Sequence, residues 1–169
     1  MTASADPGTR RLVVLRHAKS EWADGVPDHA RPLTDRGRRD ATAAGRWLRE
    51  HVDRLDAVAC STAARTRETW ARVAAELADP PAAEFDDAIY AAPPDALLAV
   101  VADLPDDAAT ALLVGHNPGV AQLVGILSGA DAEMRTASVA VLAWTGRWSD
   151  VTEHIASLEQ HTTPRWAGA

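Results

Sequence analysis

The sequence predicts an α/β fold, a single three-layer domain with a mostly parallel central sheet and helices on both faces. Three segments carry that expectation. Leu12-Val13-Val14-Leu15 runs into Arg16-His17-Ala18-Lys19-Ser20, Leu55 to Cys60 runs into Ser61-Thr62-Ala63-Ala64-Arg65, and Ala111-Leu112-Leu113-Val114 runs into Gly115-His116-Asn117-Pro118-Gly119. Short apolar runs with β-branched members fit strands buried on both faces, as parallel sheets require. If these three strands are parallel, Arg16, His17, Arg65 and His116 open onto one edge of one sheet. Open α/β sheets bind their ligands at that carboxyl edge.

The elements follow in order. Residues 1–10 are small and polar and read as a flexible tail, the domain occupies 11–160, and a second tail covers 161–169. Arg11 to Leu15 is the first strand. Glu21 to Pro32 holds Gly25, Pro27 and Pro32 and reads as a loop over the site. Thr34 or Asp35 caps a helix to about Val52, with Ala41, Ala44, Leu48 and Val52 at helical spacing. After the strand Leu55–Cys60, Ser61 or Thr62 is expected to cap a helix presenting Thr66, Trp70, Val73 and Leu77, ended by Pro80-Pro81. Glu84-Phe85 begins a short extended piece. Pro93-Pro94 opens a helix through Leu97, Leu98 and Val101. Thr110 to Val114 is a strand, Gly115 a tight turn, and the next helix carries Val120, Leu123, Val124 and Leu127 to Ser128-Gly129. Ser138 to Trp144 is expected to pair with Asp150 to Leu158 through Thr145-Gly146-Arg147.

Composition narrows the function. The 169 residues are 47% hydrophobic and 24% charged, enough apolar material for one real core. A net charge of -7 argues against general nucleic-acid binding, which needs a basic face, though not against a local basic pocket. No stretch is long and apolar enough to span a bilayer, and Met1 to Arg11 lacks the apolar core of a signal peptide. Cys60 is the only cysteine, so no disulfide forms within the chain and a reducing cytoplasm is the expected home. At a strand end it reads as a small core residue rather than a nucleophile.

Two arginines and two histidines at strand ends fit a pocket for a dianion. Guanidinium groups match phosphate oxygens in bidentate fashion, and helix N-termini after Ser61 and Pro118 add backbone N–H donors. A neutral imidazole here can attack phosphorus and carry the phosphoryl group covalently. Neighbouring arginines disfavour its protonation, and its second ring nitrogen must be fixed by an acceptor such as a backbone carbonyl. The other histidine, if protonated, joins the arginines on the equatorial oxygens. This chemistry needs no metal and no cofactor. His-x-x-x-His and Cys-x-x-Cys ligand patterns are missing from the sequence, and the arginines would repel a cation.

Taken singly, each residue has a plainer reading. Arg16-His17 is a surface pair, His116 shapes a turn before Asn117-Pro118-Gly119, and Arg65 is a solvated helix residue beside Arg67 and Arg72. Lys19 and Ser20 touch either substrate or only the loop. Trp22 is the tryptophan best placed for the site mouth. His29, His51, His154 and His161 read as structural or surface residues.

Four elements in order carry a resemblance. Leu15-Arg16-His17-Ala18 resembles the Arg-His-Gly signature of the histidine phosphatase (phosphoglycerate-mutase-like) superfamily. Pro32-Leu33-Thr34-Asp35-Arg36-Gly37 is similar to its Pro-Leu-Thr-x-x-Gly element, Ser61 to Thr69 to its Ser-x-x-x-Arg-x-x-x-Thr element, and Val114-Gly115-His116-Asn117 to its second-histidine element. The wording Arg-His-Ala-Lys-Ser and the short chain look most like the bacterial SixA-type phosphohistidine phosphatases. The resemblance implies that His17 is the phosphorylated nucleophile, with Arg16, Arg65 and His116 completing the phosphate pocket. Lys19, Ser20 and Asn117 are further candidates for substrate contact. It implies a phosphorylated protein as substrate, with a small phosphorylated metabolite or nucleotide, or a non-catalytic phospho-ligand binder, as the alternatives.

Two departures from the family pattern matter. Ala18 replaces the signature glycine, which is tolerable only at negative φ. The stretch Ala88 to Asp95 lacks the glutamate that relatives use as general acid, leaving Asp86, Asp87 or Asp95 as the candidates. An alkoxide leaving group needs a proton as it departs, whereas a phosphohistidine with a protonated ring leaves as neutral imidazole.

Overall fold

Strand β1 (Thr9–Arg16) lies inside the sheet, between β4 (Thr110–Gly115) and β5 (Val139–Thr145). This computed structural model describes residues 8–168. Around β1 the chain forms α1 (Asp35–His51), β2 (Ala57–Cys60), α2 (Ala64–Ala74), β3 (Ala83–Phe85), α3 (Pro94–Ala102), α4 (Gly119–Ser128) and β6 (Ser157–Thr162). The described residues make one six-stranded sheet in the order β3-β2-β4-β1-β5-β6. The first four pair in parallel, and β5 runs antiparallel to both β1 and β6.

Alternation along the strands divides the core. Leu12 and Val14 of β1, with Ala111 and Leu113 of β4, face α3 and α4, where Leu97, Val101, Val120, Leu123 and Leu127 pack. Val13, Leu15, Leu112 and Val114 face α1 and α2, against Ala44, Leu48, Trp70 and Val73. Both faces are covered, so the three-layer α/β expectation holds.

Local chemistry sets the ends. The Thr34 hydroxyl accepts the Gly37 N–H at 2.9 Å and caps α1. Pro94 fits the first turn of α3, and Gly129 at φ +73° closes α4. Gly115 ends β4, paired with Arg16, instead of making a turn, and a Cβ there would lie 2.9 Å from Val120 Cγ1.

Several expectations need correction. Helix α2 starts at Ala64 and has no side-chain cap, because the Ser61 hydroxyl is paired with His116 and that of Thr62 with Asp87 and His29. It ends at Ala74, before Leu77. The partner of β5 is Ser157–Thr162 rather than Asp150 to Leu158. A 3-10 turn intervenes at Trp148–Asp150, pinned by the buried Trp148 indole donating to the Ala108 carbonyl at 2.8 Å. The expected C-terminal tail is tied down. His161 and Thr162 pair with Ala140 and Val139, and the Trp166 N–H donates to Asp40 at 3.2 Å. At the other end Thr9 and Arg10 already belong to β1, paired with Thr145 and Trp144. The rest of the expected N-terminal tail, 1–7, lies outside the described residues. Among the described residues no helix is long and apolar enough to cross a membrane.

Candidate active site

The carboxyl ends of β1, β2 and β4 converge on a pocket of about 480 Å³. Arg16, His17, Arg65 and His116 all line it, as do Lys19, Ser20 and Asn117. The residues expected at one sheet edge therefore meet in one place. The rings of His17 and His116 stand 5.2 Å apart, tilted by 55°.

His17 is fixed from several sides. Its N–H donates to the Gly115 carbonyl, and the Ala137 N–H is shared by the carbonyls of Arg16 and His17, each at 3.1 Å. Ala137 adopts φ +61°, a left-handed conformation that costs on the order of 1–3 kcal/mol and that the surrounding contacts must impose. The next N–H, of Ala18, donates to Thr69 Oγ1 at 3.0 Å. His17 Nδ1 lies 2.7 Å from the Ala18 carbonyl. A carbonyl only accepts, so Nδ1 carries the hydrogen and Nε2 keeps its lone pair. Burial pushes the ring's pKa down to about 3, with His116, Arg65 and Arg16 adding to the shift. At neutral pH this is an uncharged imidazole with one nucleophilic nitrogen.

The cations around it are short of partners. Arg16 donates Nη1 to the Met134 carbonyl at 3.2 Å, and Arg65 donates Nη1 to the Asp28 carbonyl at 2.8 Å and Nη2 to the Asp28 carboxylate at 3.1 Å. Yet Arg16 Nε, Arg65 Nε and His116 Nδ1 are buried without a partner among the described residues. Leaving a buried donor unmade costs about 1–3 kcal/mol, more for a charged group. Such a cost at residues lining one pocket is relieved by an anionic acceptor. Burial first, then Arg65, lowers the His116 pKa to about 4, and its Nε2 pairs with the buried Ser61 hydroxyl at 2.7 Å. When Ser61 donates, Nδ1 carries the proton and faces no acceptor.

The remaining expected contacts divide. The Lys19 ammonium has no side-chain partner among the described residues, the Ser20 hydroxyl accepts from Arg31, and Asn117 donates to the Met134 carbonyl. Trp22 is 83% exposed and lies over the Arg31 guanidinium, 3.6 Å from ring centroid to carbon. The candidate acids do not reach the pocket. Asp86 accepts from the Ala88 N–H, Asp87 bonds Thr62, and Asp95 sits in the first turn of α3. Buried Cys60 has its thiol pushed up to about 12 by desolvation, which suits a core residue.

Sequence reasoning missed Asp28, Arg31, Ser61 and Tyr90. Buried Arg31 donates Nε to Asp28 at 3.1 Å and Nη1 to Ser20 Oγ at 2.7 Å and the Glu21 carbonyl at 3.0 Å, shaping the Glu21–Pro32 loop from within. The Tyr90 hydroxyl donates to Asp28. Hydrogen bonds from Tyr90, then Arg31 and Arg65, hold the Asp28 carboxyl well below the usual carboxylate range. The available signal was the Asp28-x-x-Arg31 spacing directly before Pro32-Leu33-Thr34. For Ser61 it was the first position of the Ser-x-x-x-Arg element.

The motifs now have physical reasons. Thr34 N–H donates to the Lys19 carbonyl at 2.9 Å, and a Cβ on Gly37 would collide with that same carbonyl, so Gly37 lets α1 support the signature loop. Among the described non-glycine residues only Ala91, Ala137 and His154 have positive φ, so Ala18 sits where alanine is unstrained. Among the described residues no three His, Cys, Asp or Glu side chains stand together as metal ligands.

Known proteins resemble this chain in sequence and fold. Residues 12–88 match the model of the histidine phosphatase superfamily, branch 1. An uncharacterized protein of Mycobacterium tuberculosis strain H37Rv is 39% identical over 162 residues, covering 89% of this chain and all of that protein. The structure of a candidate phosphohistidine phosphatase SixA from Nakamurella multipartitia is 39% identical. It superposes with a TM-score of 0.85 over 94% of this chain and 98% of its own. The protein histidine phosphatase SixA complexed with tungstate shares the fold at 21% identity, with a TM-score of 0.79 over 91% of this chain and 97% of its own.

Proposed function

This chain belongs to the histidine phosphatase superfamily, on its SixA-type branch, and from that premise we propose that it is a phosphohistidine phosphatase working through covalent phosphorylation of His17. The observation that carries the reading is the pair His17 Nδ1 to Ala18 carbonyl, which leaves Nε2 unprotonated beside cations with unpaired buried nitrogens. His17 Nε2 attacks phosphorus, and the bond from phosphorus to the leaving atom breaks with its electron pair on that atom. Arg16, Arg65 and His116 hold the equatorial oxygens as charge moves between the apical positions. Water then attacks the phosphorylated His17. The P–N bond breaks, its electron pair returns to Nε2, and both water protons leave with phosphate as H2PO4⁻.

The substrate class follows from the acids. Among the described residues the one carboxylate lining the pocket is held ionised, Asp86 and Asp87 are engaged elsewhere and Asp95 sits in the first turn of α3, so none of these carboxyl groups is poised to protonate an alkoxide. A phosphohistidine ring that is already protonated departs as neutral imidazole without such help. The same set of groups suits the phosphorylated side chain of a protein. The test compares a phosphohistidine protein with an alkyl phosphate monoester, without added metal, and traps the phosphorylated enzyme by quenching in denaturant at alkaline pH. Fast turnover of the first, little of the second, and a base-stable, acid-labile phosphate on His17 are expected. Comparable turnover of the alkyl ester would overturn the substrate assignment, and activity surviving in His17→Ala would overturn the mechanism.

A further inference from the structure

A phosphate pocket gains nothing obvious from a carboxylate, since it repels the dianion. Asp28 is nevertheless the one acidic residue among the described residues that line this pocket. It is built in firmly. Its Oδ1 accepts from Arg31 Nε, its Oδ2 from Arg65 Nη2 and from the Tyr90 hydroxyl, and its backbone carbonyl takes Arg65 Nη1. A carboxylate offers about four acceptor positions, so one remains, and the side chain is 48% exposed and lines the pocket.

Held ionised by these donors, Asp28 has no proton to give and cannot serve as the missing acid. It can accept one more N–H. Alkyl and aryl ester oxygens present none when they leave. A phosphohistidine ring presents one on the nitrogen remote from phosphorus, and only in the protonated form that departs as neutral imidazole.

Resting on the phosphohistidine reading of the site, we propose that Asp28 determines leaving-group specificity by accepting a hydrogen bond from the protonated ring of the substrate. A carboxylate beside that N–H favours the charged ring and keeps the reactive form bound at pH values where the free substrate has lost its proton. As the P–N bond breaks, its electron pair neutralises the ring, the proton stays on the remote nitrogen, and the positive charge passes to phosphorylated His17. The charged and titratable groups that face Asp28 are Arg31 and His29 on its own turn, Arg65 from α2, Tyr90 and His116. His116 is neutral in the empty pocket, and its lowered pKa keeps it so down to about 4.

The experiment measures kcat/KM for N-phosphorylimidazole and for phenyl phosphate between pH 6 and 9, in wild type and Asp28→Asn. Because Asp28 also holds Arg65, both substrates will slow in the variant. The decisive quantity is their ratio, expected to fall by at least about tenfold at pH 8 and by less at pH 6. Equal losses at every pH would overturn the proposal and leave Asp28 as a positioning residue for Arg65. If the variant does not fold, the wild-type profile decides alone. The ratio must hold up above the ring's free pKa, near ~6.5 for an ordinary imidazole, and a ratio that tracks the free ring's titration overturns the proposal. A wild type active on phenyl phosphate but inert toward both phosphorylimidazole and a phosphohistidine protein would sink the phosphohistidine reading, and Asp28's role with it.

Discussion

Both edges of the central sheet carry arginines, and the two edges treat them differently. At the amino edge Arg11 meets Glu159 at 2.9 Å and Arg54 meets Asp56 at 3.0 Å, both in the open. Asp56 also takes the N–H groups of Ala109 and Thr110, so these charges close on each other, while Arg10 keeps one buried nitrogen unpaired but donates to the Asp106 carbonyl and has no histidine or second unpaired arginine beside it. At the carboxyl edge Arg65 pairs with the Asp28 carboxylate and Arg16 with only the Met134 carbonyl, and each keeps a buried nitrogen unpaired beside two histidines that burial has stripped of charge. A folded chain leaves cations unsatisfied in this way where a ligand supplies the missing anion. The contrast separates a solvated surface from a site, although both have similar residue types.

The largest effect expected from breaking the carboxyl edge is at His17. His17→Ala should lower turnover by at least about 10³-fold, since removing a nucleophile costs that much or more in comparable enzymes. Sulfate binding should persist, because the arginines remain. A phosphate-release assay with a calorimetric titration checks both, and loss of sulfate binding would mean that His17 mainly shapes the pocket. Next comes Arg65→Lys, which keeps the charge but loses the fork that spans Asp28 and the pocket. About 10²-fold in kcat/KM is expected, where a pocket needing only charge would lose little.

The strand–edge plan was legible because it rests on short-range patterning. Leu12 to Leu15 alternates between the two cores, and the residues after each strand end fall together once the strands are parallel. The C-terminal pairing was not legible. Nothing local in Thr145-Gly146-Arg147 reveals that Trp148 will bury itself under Ala108 and postpone β6 to Ser157. The same holds within the site. Arg16, His17, Arg65 and His116 stand at strand and helix ends that periodicity locates, whereas Asp28, Arg31 and Tyr90 meet through loops, 62 residues apart in the case of Asp28 and Tyr90. Sequence spacing carries no trace of the Asp28–Tyr90 contact, which loop closure sets, although the Asp28-x-x-Arg31 pair is itself local.

Proton linkage sharpens the comparison at a smaller scale. His17 and His116 titrate near about 3 and 4 in the fold and near ~6.5 unfolded. Between those values the unfolded chain binds protons that the native one does not, so stability should fall as pH drops from 6.5 toward 4. Denaturant midpoints at several pH values test the sign. A bound dianion reverses it for His116. Sulfate stays dianionic over this range and favours the protonated ring, so its affinity should rise several-fold from pH 8 to pH 5. An affinity indifferent to pH would remove His116 from the anion's contacts.

The smallest effect belongs to the amino edge, and it is the control for all the others. Arg11→Ala removes an ion pair whose side chains are 47% and 36% exposed. Exposed pairs contribute about 0–1 kcal/mol, because water solvates both partners and ordering two long side chains has an entropic cost. Stability should therefore change by less than about 1 kcal/mol and kcat/KM not at all. If Arg11→Ala depressed turnover, the carboxyl edge would depend on charge distributed over the whole sheet, since Arg11 is too remote to touch substrate. An unchanged kcat/KM confines the chemistry to the edge where unpaired arginine nitrogens and two histidines line one pocket, which is what separates that edge from this one.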